Sequence, residues 1–304
     1  MSAFDLYPRL ASNLQAANEQ GSQLYALVVP DAPILDDLSA LPADATFVAT
    51  RGTAARLDRL GATLGLVAVW ANPASDELIR VLAGLPRLRA VYLTHVKRID
   101  LSPLATSSSL EHILVGWAPA LTDLSFLARI PTLRTLYLEN VGRLDLDTLP
   151  SLPRLTALHI GGGMWSALKA ASLKPLARLS SLAYLTLANV RPMDGSLAPL
   201  AGLRQLRELR LPNFFSVEEC ARLAAALPDT AGNILRPIFI EPSTDGQSNG
   251  LLPCVACGGS RAMMTGRPAA TLCPACDAGR IAKRVARWEM ARVDPPGGSD
   301  HFSS

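Results

Sequence analysis

The pattern L-x-x-L-x-L recurs along this chain at near-constant spacing, and that restricts how the chain can fold. It occurs at Leu64/Val67/Val69, Leu88/Val91/Leu93, Leu110/Ile113/Val115, Leu133/Leu136/Leu138, Leu155/Leu158/Ile160, Leu182/Leu185/Leu187 and Leu206/Leu209/Leu211. Successive starts lie 24, 22, 23, 22, 27 and 24 residues apart. One copy is too short to bury its own apolar face, so the copies must stack on one another. Alternation within the motif marks each copy as a strand with its apolar positions pointing inward. Eleven residues past the start, Ile99, Leu121, Leu144 and Met193 are expected to continue the buried stripe. Short segments such as DLSPLA (100–105), DLSFLA (123–128) and SLAPLA (196–201) then return the chain. Aromatic residues make up only 5% of the chain against 49% apolar, which suits a core built from one small aliphatic unit.

This pattern resembles the leucine-rich repeat, and in particular bacterial leucine-rich-repeat proteins. Arginine outnumbers lysine 25 to 4, a composition that hints at a GC-rich bacterial genome. The resemblance implies an α/β repeat fold: a leucine-rich-repeat solenoid, with a curved parallel sheet and short convex helical or irregular segments. It also implies a turn residue eight past each start, usually Asn or Cys. Asn72 is the one asparagine there; Val96, Ala118, Val141, Gly163, Val190 and Phe214 would hold their turns by packing. Residues 1–63 are expected to form an N-terminal cap and degenerate repeats. These include a helix over 4–19, a coil at Leu24/Leu27/Val29 and a strand at TFVAT (46–50). Residues 64–240 form the solenoid with its C-terminal cap. Within that cap SVEECARLAAAL (216–227) reads as a helix with Ser216 as N-cap and Glu219 three residues on, and Ile234–Ile240 as a last strand. Residues 241–250 (EPSTDGQSNG) are a polar linker, 251–293 a separate module, and 294–304 a disordered tail.

That module carries Cys254-Val-Ala-Cys257, fifteen residues, then Cys273-Pro-Ala-Cys276. Two residues between cysteines let one turn aim both sulfurs at a single ion, and two such turns complete a tetrahedron. The spacing is similar to that of zinc ribbons and implies one structural Zn²⁺ on Cys254, Cys257, Cys273 and Cys276. With four protein ligands no coordination position stays open for chemistry. Gly279–Val293 reads as a helix with Ile281, Val285 and Trp288 on one face. Arg280, Arg284 and Arg287 lie on an adjacent face as candidate nucleic-acid contacts. The fifth cysteine, Cys220, has no local base and reads as buried and inert.

The inward pattern also fixes which strand residues face out, and in leucine-rich repeats these line the concave side. Counting two, four and six or seven residues past the starts gives Leu66, Trp70, Tyr92, His95, His112, Trp117, Tyr137, Glu139, Asn140, His159, Tyr184, Glu208 and Arg210. Leu66 apart, these form the candidate partner-binding set. Three of five tyrosines, three of four histidines and two of four tryptophans fall here, the residue types that supply large contact areas with a polar tip. The alternative is that the rings pack along neighbouring strands as cross-strand ladders. If the stripe is a free surface, Tyr92→Ala with Tyr137→Ala removes binding and leaves the thermal transition nearly intact. The 27-residue step holds Gly161-Gly162-Gly163, which either notches this face or lets the chain bulge to house a longer loop.

No apolar run approaches the roughly 18 residues needed to span a bilayer, and Met1–Leu10 lacks the features of a secretory leader. A cytoplasmic protein without membrane contact is therefore expected. The net charge of +3 falls wholly within residues 251–304, because the remainder carries 22 charges of each sign. A four-thiolate zinc site would offset about two of those positive charges. A protein partner is thus favoured over nucleic acid. No G-x-S-x-G, H-E-x-x-H or phosphate-loop signature is present, and a non-enzymatic binding scaffold is the expectation.

Overall fold

The computed structural model describes residues 33–96, 98–163, 166–239 and 253–293. The expected helix at 4–19, the coil at Leu24/Leu27/Val29, the pair Met164-Trp165, the 241–250 linker and the 294–304 tail lie outside the described residues. The chain divides into two compact units, residues 1–170 with 178–191, and residues 171–177 with 192–304.

The first unit is a ladder of parallel strands. It runs β1 (Leu35–Asp37), β2 (Phe47–Ala55), β3 (Ala68–Ala71), β4 (Ala90–Thr94), β5 (His112–Gly116), β6 (Thr135–Glu139), β7 (Ala157–Gly161) and, after the short β8 (Leu168–Ala170), β9 (Tyr184–Ala188). Neighbours in this list pair in order, with β7 joining β9 directly. β8 pairs instead with β10 (Val190–Pro192), so the extra residues of the 27-residue step form a strand outside the main ladder. Helices α1 (Asp58–Ala62) and α2 (Asp76–Ala83), then single 3₁₀ turns at Ser102–Thr106, Ser125–Arg129 and Leu146–Thr148, return the chain. Each of the D-L-S/D segments begins its turn in the same way. The Asp100 carboxylate accepts from Ser102 N, Asp123 from Ser125 N and Asp145 from Asp147 N, at 2.7–3.0 Å. Short aspartates favour such turns because they satisfy a backbone N–H locally.

From Leu88 to Leu187 every inward L-x-x-L-x-L residue is at most 2% exposed. The parallel sheet with its short return segments is a leucine-rich-repeat solenoid. The first repeat, however, starts at Leu66, not Leu64. Ala68 pairs with Ala90 and Trp70 with Tyr92, which aligns Leu66 with Leu88. Leu66 is 1% exposed and Leu64 61%, so Leu66 belongs to the core and not to the outer face. The first interval becomes 22 residues, equal to the next and one short of the 23 that follows. Asn72 then leaves the eighth position, and Ala74 takes it, buried like Val96, Ala118 and Val141. Every turn in this series is closed by apolar packing. The stripe at the eleventh position also needs correction. Leu144 is buried, but Ile99 and Leu121 are half-buried and Met193 is 68% exposed. The buried role falls two to four residues later, to Leu101, Leu124, Leu146 and Leu197, because those leucines open the return turns.

The second unit contains β11 (Glu208–Arg210) paired in parallel with β12 (Ala231–Gly232). Between them α3 (Val217–Ala226) is capped by Ser216, whose hydroxyl accepts from Glu219 N at 3.1 Å. The Glu219 carboxylate turns to Leu197 N at 2.6 Å, not back to the cap. β13 (Ile238–Phe239), β14 (Ala262–Met264) and β15 (Ala270–Leu272) form an antiparallel sheet, and α4 (Ala278–Val293) packs on α3. The cysteine-bearing segment is therefore part of the same compact unit as the last repeats. The Asn213 amide donates to Met264 O and its carbonyl accepts from Gly266 N. Arg267 N bonds Phe215 O, and Trp288 is 2% exposed.

The corrected register has a direct consequence. Leu66→Ala should cost about 2–4 kcal/mol through lost burial and a residual cavity, whereas Leu64→Ala should stay within about 0.5 kcal/mol of the parent. Urea unfolding of the two variants, read by the shift in midpoint, decides between the registers.

Candidate functional site

Because the strands pair without slippage from β3 to β9, equivalent residues stand in columns across the sheet. The outward column at the strand centres is Ala49, Trp70, Tyr92, Leu114, Tyr137, His159 and Thr186. Its rings stack along the ladder. Trp70 and Tyr92 lie 5.8 Å apart at 19°, and Tyr137 and His159 4.1 Å apart at 19°. Trp70, Tyr92, Tyr137 and His159 are 5–7% exposed. Removing Tyr92 and Tyr137 together would thus excavate packed rings, and the expectation that the thermal transition survives this change is withdrawn.

The exposed aromatic surface sits one turn further on. Leaving the strands, His95, Trp117, Asn140 and Asn189 occupy one column and share the left-handed backbone conformation, with φ of 55°, 54°, 59° and 51°. Asparagine tolerates this region and histidine is also enriched there; a tryptophan is uncommon and costs on the order of 1 kcal/mol. The His95 and Trp117 rings stack at 5.9 Å and 4°. His95 Nδ1 also lies 2.8 Å from the Asn72 carbonyl oxygen and 3.0 Å from the Thr94 hydroxyl. Trp117 is 36% exposed. Beside His95 an open cleft of about 680 Å³ is lined by Asn72, Pro73, Ser75, Asp76, Arg98 and Ile99.

Next to this stack is a hydrogen-bonded group that the sequence reading did not assemble. Tyr137 Oη donates to Glu139 Oε2 at 3.0 Å, and His159 Nε2 lies 2.7 Å from the same oxygen. The backbone N–H of Trp117 donates to Glu139 O at 3.0 Å. The carboxylate lies over Gly161, where a Cβ would stand 2.4 Å from both of its oxygens. At Gly162 a Cβ would meet Asn189 O at 2.4 Å. These two glycines permit close approach and leave no notch, since the Glu139 carboxylate and Asn189 O fill the places of their missing side chains, and the longer loop is housed separately by β8. The signal was available in the columns: Tyr and Glu two apart on one strand, His and Gly two apart on the next. His112 does not join this group. It bonds the Thr135 hydroxyl through Nδ1 at 2.9 Å, and burial pulls its pKa down to about 4, so it is neutral near pH 7.

The remaining candidates have separate placements. Tyr184 is half-buried, and Glu208 and Arg210 pair with each other at 2.6 Å in the second unit. The arginines of α4 are engaged within the chain. Arg280 pairs with Asp277 at 2.9 Å and Arg287 with Glu218 at 2.5 Å. Arg284 donates to the carbonyls of Thr265, Gly266 and Pro268, organising the loop before β15. Burial pushes the Cys220 thiol up to about 12, which leaves it unreactive.

The four remaining cysteines converge. Their sulfurs all lie within 4.8 Å of one another, with Cys254–Cys276 at 3.8 Å and Cys257–Cys273 at 3.5 Å. A disulfide needs about 2.05 Å. A tetrahedron of sulfurs 2.3 Å from a central ion has edges of roughly 3.8 Å. The Cys276 backbone N–H, first among several donors, pulls the Cys273 thiol down to about 7. The shared hydrogen bond with Cys257 holds Cys276 up at about 12. The geometry therefore fits a metal ion held by four cysteines.

No family model matches the chain, and no curated protein matches it in sequence. Among solved structures it is similar to internalin C2 of Listeria monocytogenes (18% identity, 74% of this chain and 81% of that one, TM-score 0.35). It is also similar to internalin F of the same organism (22% identity, 64% and 68%, TM-score 0.39). A third similar structure is the leucine-rich-repeat protein LIC12759 of Leptospira interrogans (15% identity, TM-score 0.41), which aligns over 62% of this chain and 58% of that one.

Proposed function

We propose that this protein is a non-enzymatic scaffold that binds a protein partner on the outer face of its parallel sheet, with one structural Zn²⁺ in the second unit. The observation that carries the reading is the stacked His95–Trp117 pair. Two exposed rings are held in a left-handed backbone conformation, which the tryptophan side chain disfavours, beside an open cleft. Disfavoured backbone at an exposed aromatic is where binding surfaces are commonly found. A pre-stacked tryptophan gives a large apolar contact with little ordering entropy left to lose. Asn72, whose side-chain carbonyl oxygen lies 2.8 Å from His95 Nδ1, gives the stack a polar edge, and Asn140 continues its column. The buried rings of Trp70, Tyr92, Tyr137 and His159 serve as the rigid floor that keeps this edge in place.

Zinc is the metal that an all-thiolate tetrahedral set favours. Its role would be to hold the two cysteine turns together beside β14, β15 and α4, where a small segment has little core of its own. Four unbridged thiols suit a reducing compartment, which supports a cytoplasmic location. Among the described residues no helix is long and apolar enough to cross a membrane.

Trp117→Asn keeps a residue that tolerates φ near +54° and removes the ring. Parallel affinity capture from the source-cell lysate should show at least a tenfold loss of the specific partner, with the thermal transition within about 3 °C of the parent. Undiminished capture by the folded variant would refute the reading. For the metal, elemental analysis of the purified protein should give one zinc per chain. A chelator should lower the thermal midpoint and alter the fluorescence of the buried Trp288, and Cys273→Ser should do the same without a chelator. Full stability at zero metal content would exclude a structural ion.

A further inference from the structure

We infer that the edge of the first unit formed by the segments leading into β4, β5, β6, β7 and β9 is a docking strip for an acidic segment of a protein partner, gripped by arginines. It is a second surface, separate from the His95–Trp117 stack, and goes beyond the reading of that stack as a binding face.

Before each of these strands the chain runs through residues 84–89, 107–111, 130–134, 149–156 and 179–183. Their charged residues are Arg87, Arg89, Glu111, Arg134 and Arg154. Arg178, just ahead of the last segment, donates to Leu149 O at 3.4 Å and so brings its guanidinium to the same edge. Five arginines thus stand against one glutamate, although residues 1–250 as a whole carry equal numbers of the two signs. The ladder sets these segments side by side. Glu111 N bonds Arg89 O, Arg134 N bonds Glu111 O, Thr156 N bonds Arg134 O and Ala183 N bonds Thr156 O, each at 2.8 Å. Successive coils are about 4.8 Å apart, so the strip is on the order of 20 Å long.

The same column shows how this edge takes a carboxylate and where none is supplied. Arg89 forks Glu111 through Nε and Nη2, engaging both carboxylate oxygens at 2.8–3.1 Å. Arg134, on the far side of Glu111, comes only to 3.7 Å of an anion already matched. Beyond Arg134 the column continues as Thr156 and Ala183, so no acid extends the alternation. Arg87 and Arg154 are exposed, and their side chains have no hydrogen-bond or ion-pair partner among the described residues. Carboxylates from outside would complete the pattern. A guanidinium fork matches the two oxygens of a carboxylate, and arginine, not lysine, supplies every cation here. In an extended segment, side chains on one face recur about every 6.6 Å, within reach of long arginines on successive coils. Nucleic acid fits less well, because the five segments contain no aromatic residue on which a base could stack.

The probe is a fluorescein-labelled decaglutamate peptide, titrated into the full chain at low salt and read by anisotropy. Saturable binding that weakens as salt is raised is expected. Arg134→Gln with Arg154→Gln should weaken it at least tenfold. Both side chains are exposed and the longer Arg134–Glu111 contact is a weak one, so the fold should be kept, which the thermal transition verifies. Arg98→Gln with Arg143→Gln removes the same charge from exposed positions that follow the strands, and should leave the affinity within about threefold of the parent. No saturable binding, an equal loss in both double variants, or equally tight binding of an oligothymidylate of the same charge would each overturn the inference. Trp117→Asn should bind the peptide as the parent does. If that variant loses the captured partner while decaglutamate fails to bind the parent, the stacked face stands and the basic strip falls.

Discussion

Every inward leucine of the first unit is buried only because the neighbouring coil places an equivalent leucine beside it. A coil of about 22 residues has a single apolar stripe, and burying one leucine contributes about 1.5–3 kcal/mol. That gain is realised only when strands pair in register along the ladder from β2 to β9. The same pairing satisfies the backbone N–H and C=O groups of each strand. Register is thus the constraint on which the rest depends, since it fixes both the core and the columns of residues on the opposite face.

Those columns explain the division of labour on the outer face. Residues at strand centres are flanked on both sides by equivalents about 4.8 Å away. Large flat rings in such a column cover one another, as Trp70 does with Tyr92 and Tyr137 with His159. One turn beyond, the chain leaves the sheet through a left-handed residue, and side chains there stand clear of the ladder. His95 and Trp117 are exposed for that reason, and Glu139, the last residue of its strand, lies at the transition. The apparent surface stripe is therefore two structures, a packed floor and an exposed rim.

In the second unit the cysteine segment is tied to the last repeats by main-chain and side-chain bonds. Asn213 bridges to Met264 and Gly266, Arg267 bonds Phe215, and Arg287 pairs with Glu218. The last is a half-exposed pair and contributes at most about 1 kcal/mol, so the burial of Trp288 and the packing of α4 on α3 carry most of the attachment. Arginines that read as a basic face in isolation are committed to these internal bonds. Charge placement on a single helix does not reveal its partners, because they come from distant parts of the chain.

By itself the sequence determined the repeat, the inward leucines, the capped helix at Ser216 and the four converging cysteines, because each is a local pattern with a strict spacing. It misplaced the first coil by two residues. Within the strand a shift of two keeps Val69 inward and Trp70 outward, since strand side chains alternate with a period of two. Parity therefore could not distinguish Leu64 from Leu66, and only pairing with Leu88's strand did. It also could not tell buried rings from exposed ones on the outer face, because burial there comes from neighbouring coils. The meeting of Tyr137, Glu139, His159 and Gly161 was likewise decided by tertiary structure. Residues twenty or more apart become neighbours only after the ladder has closed.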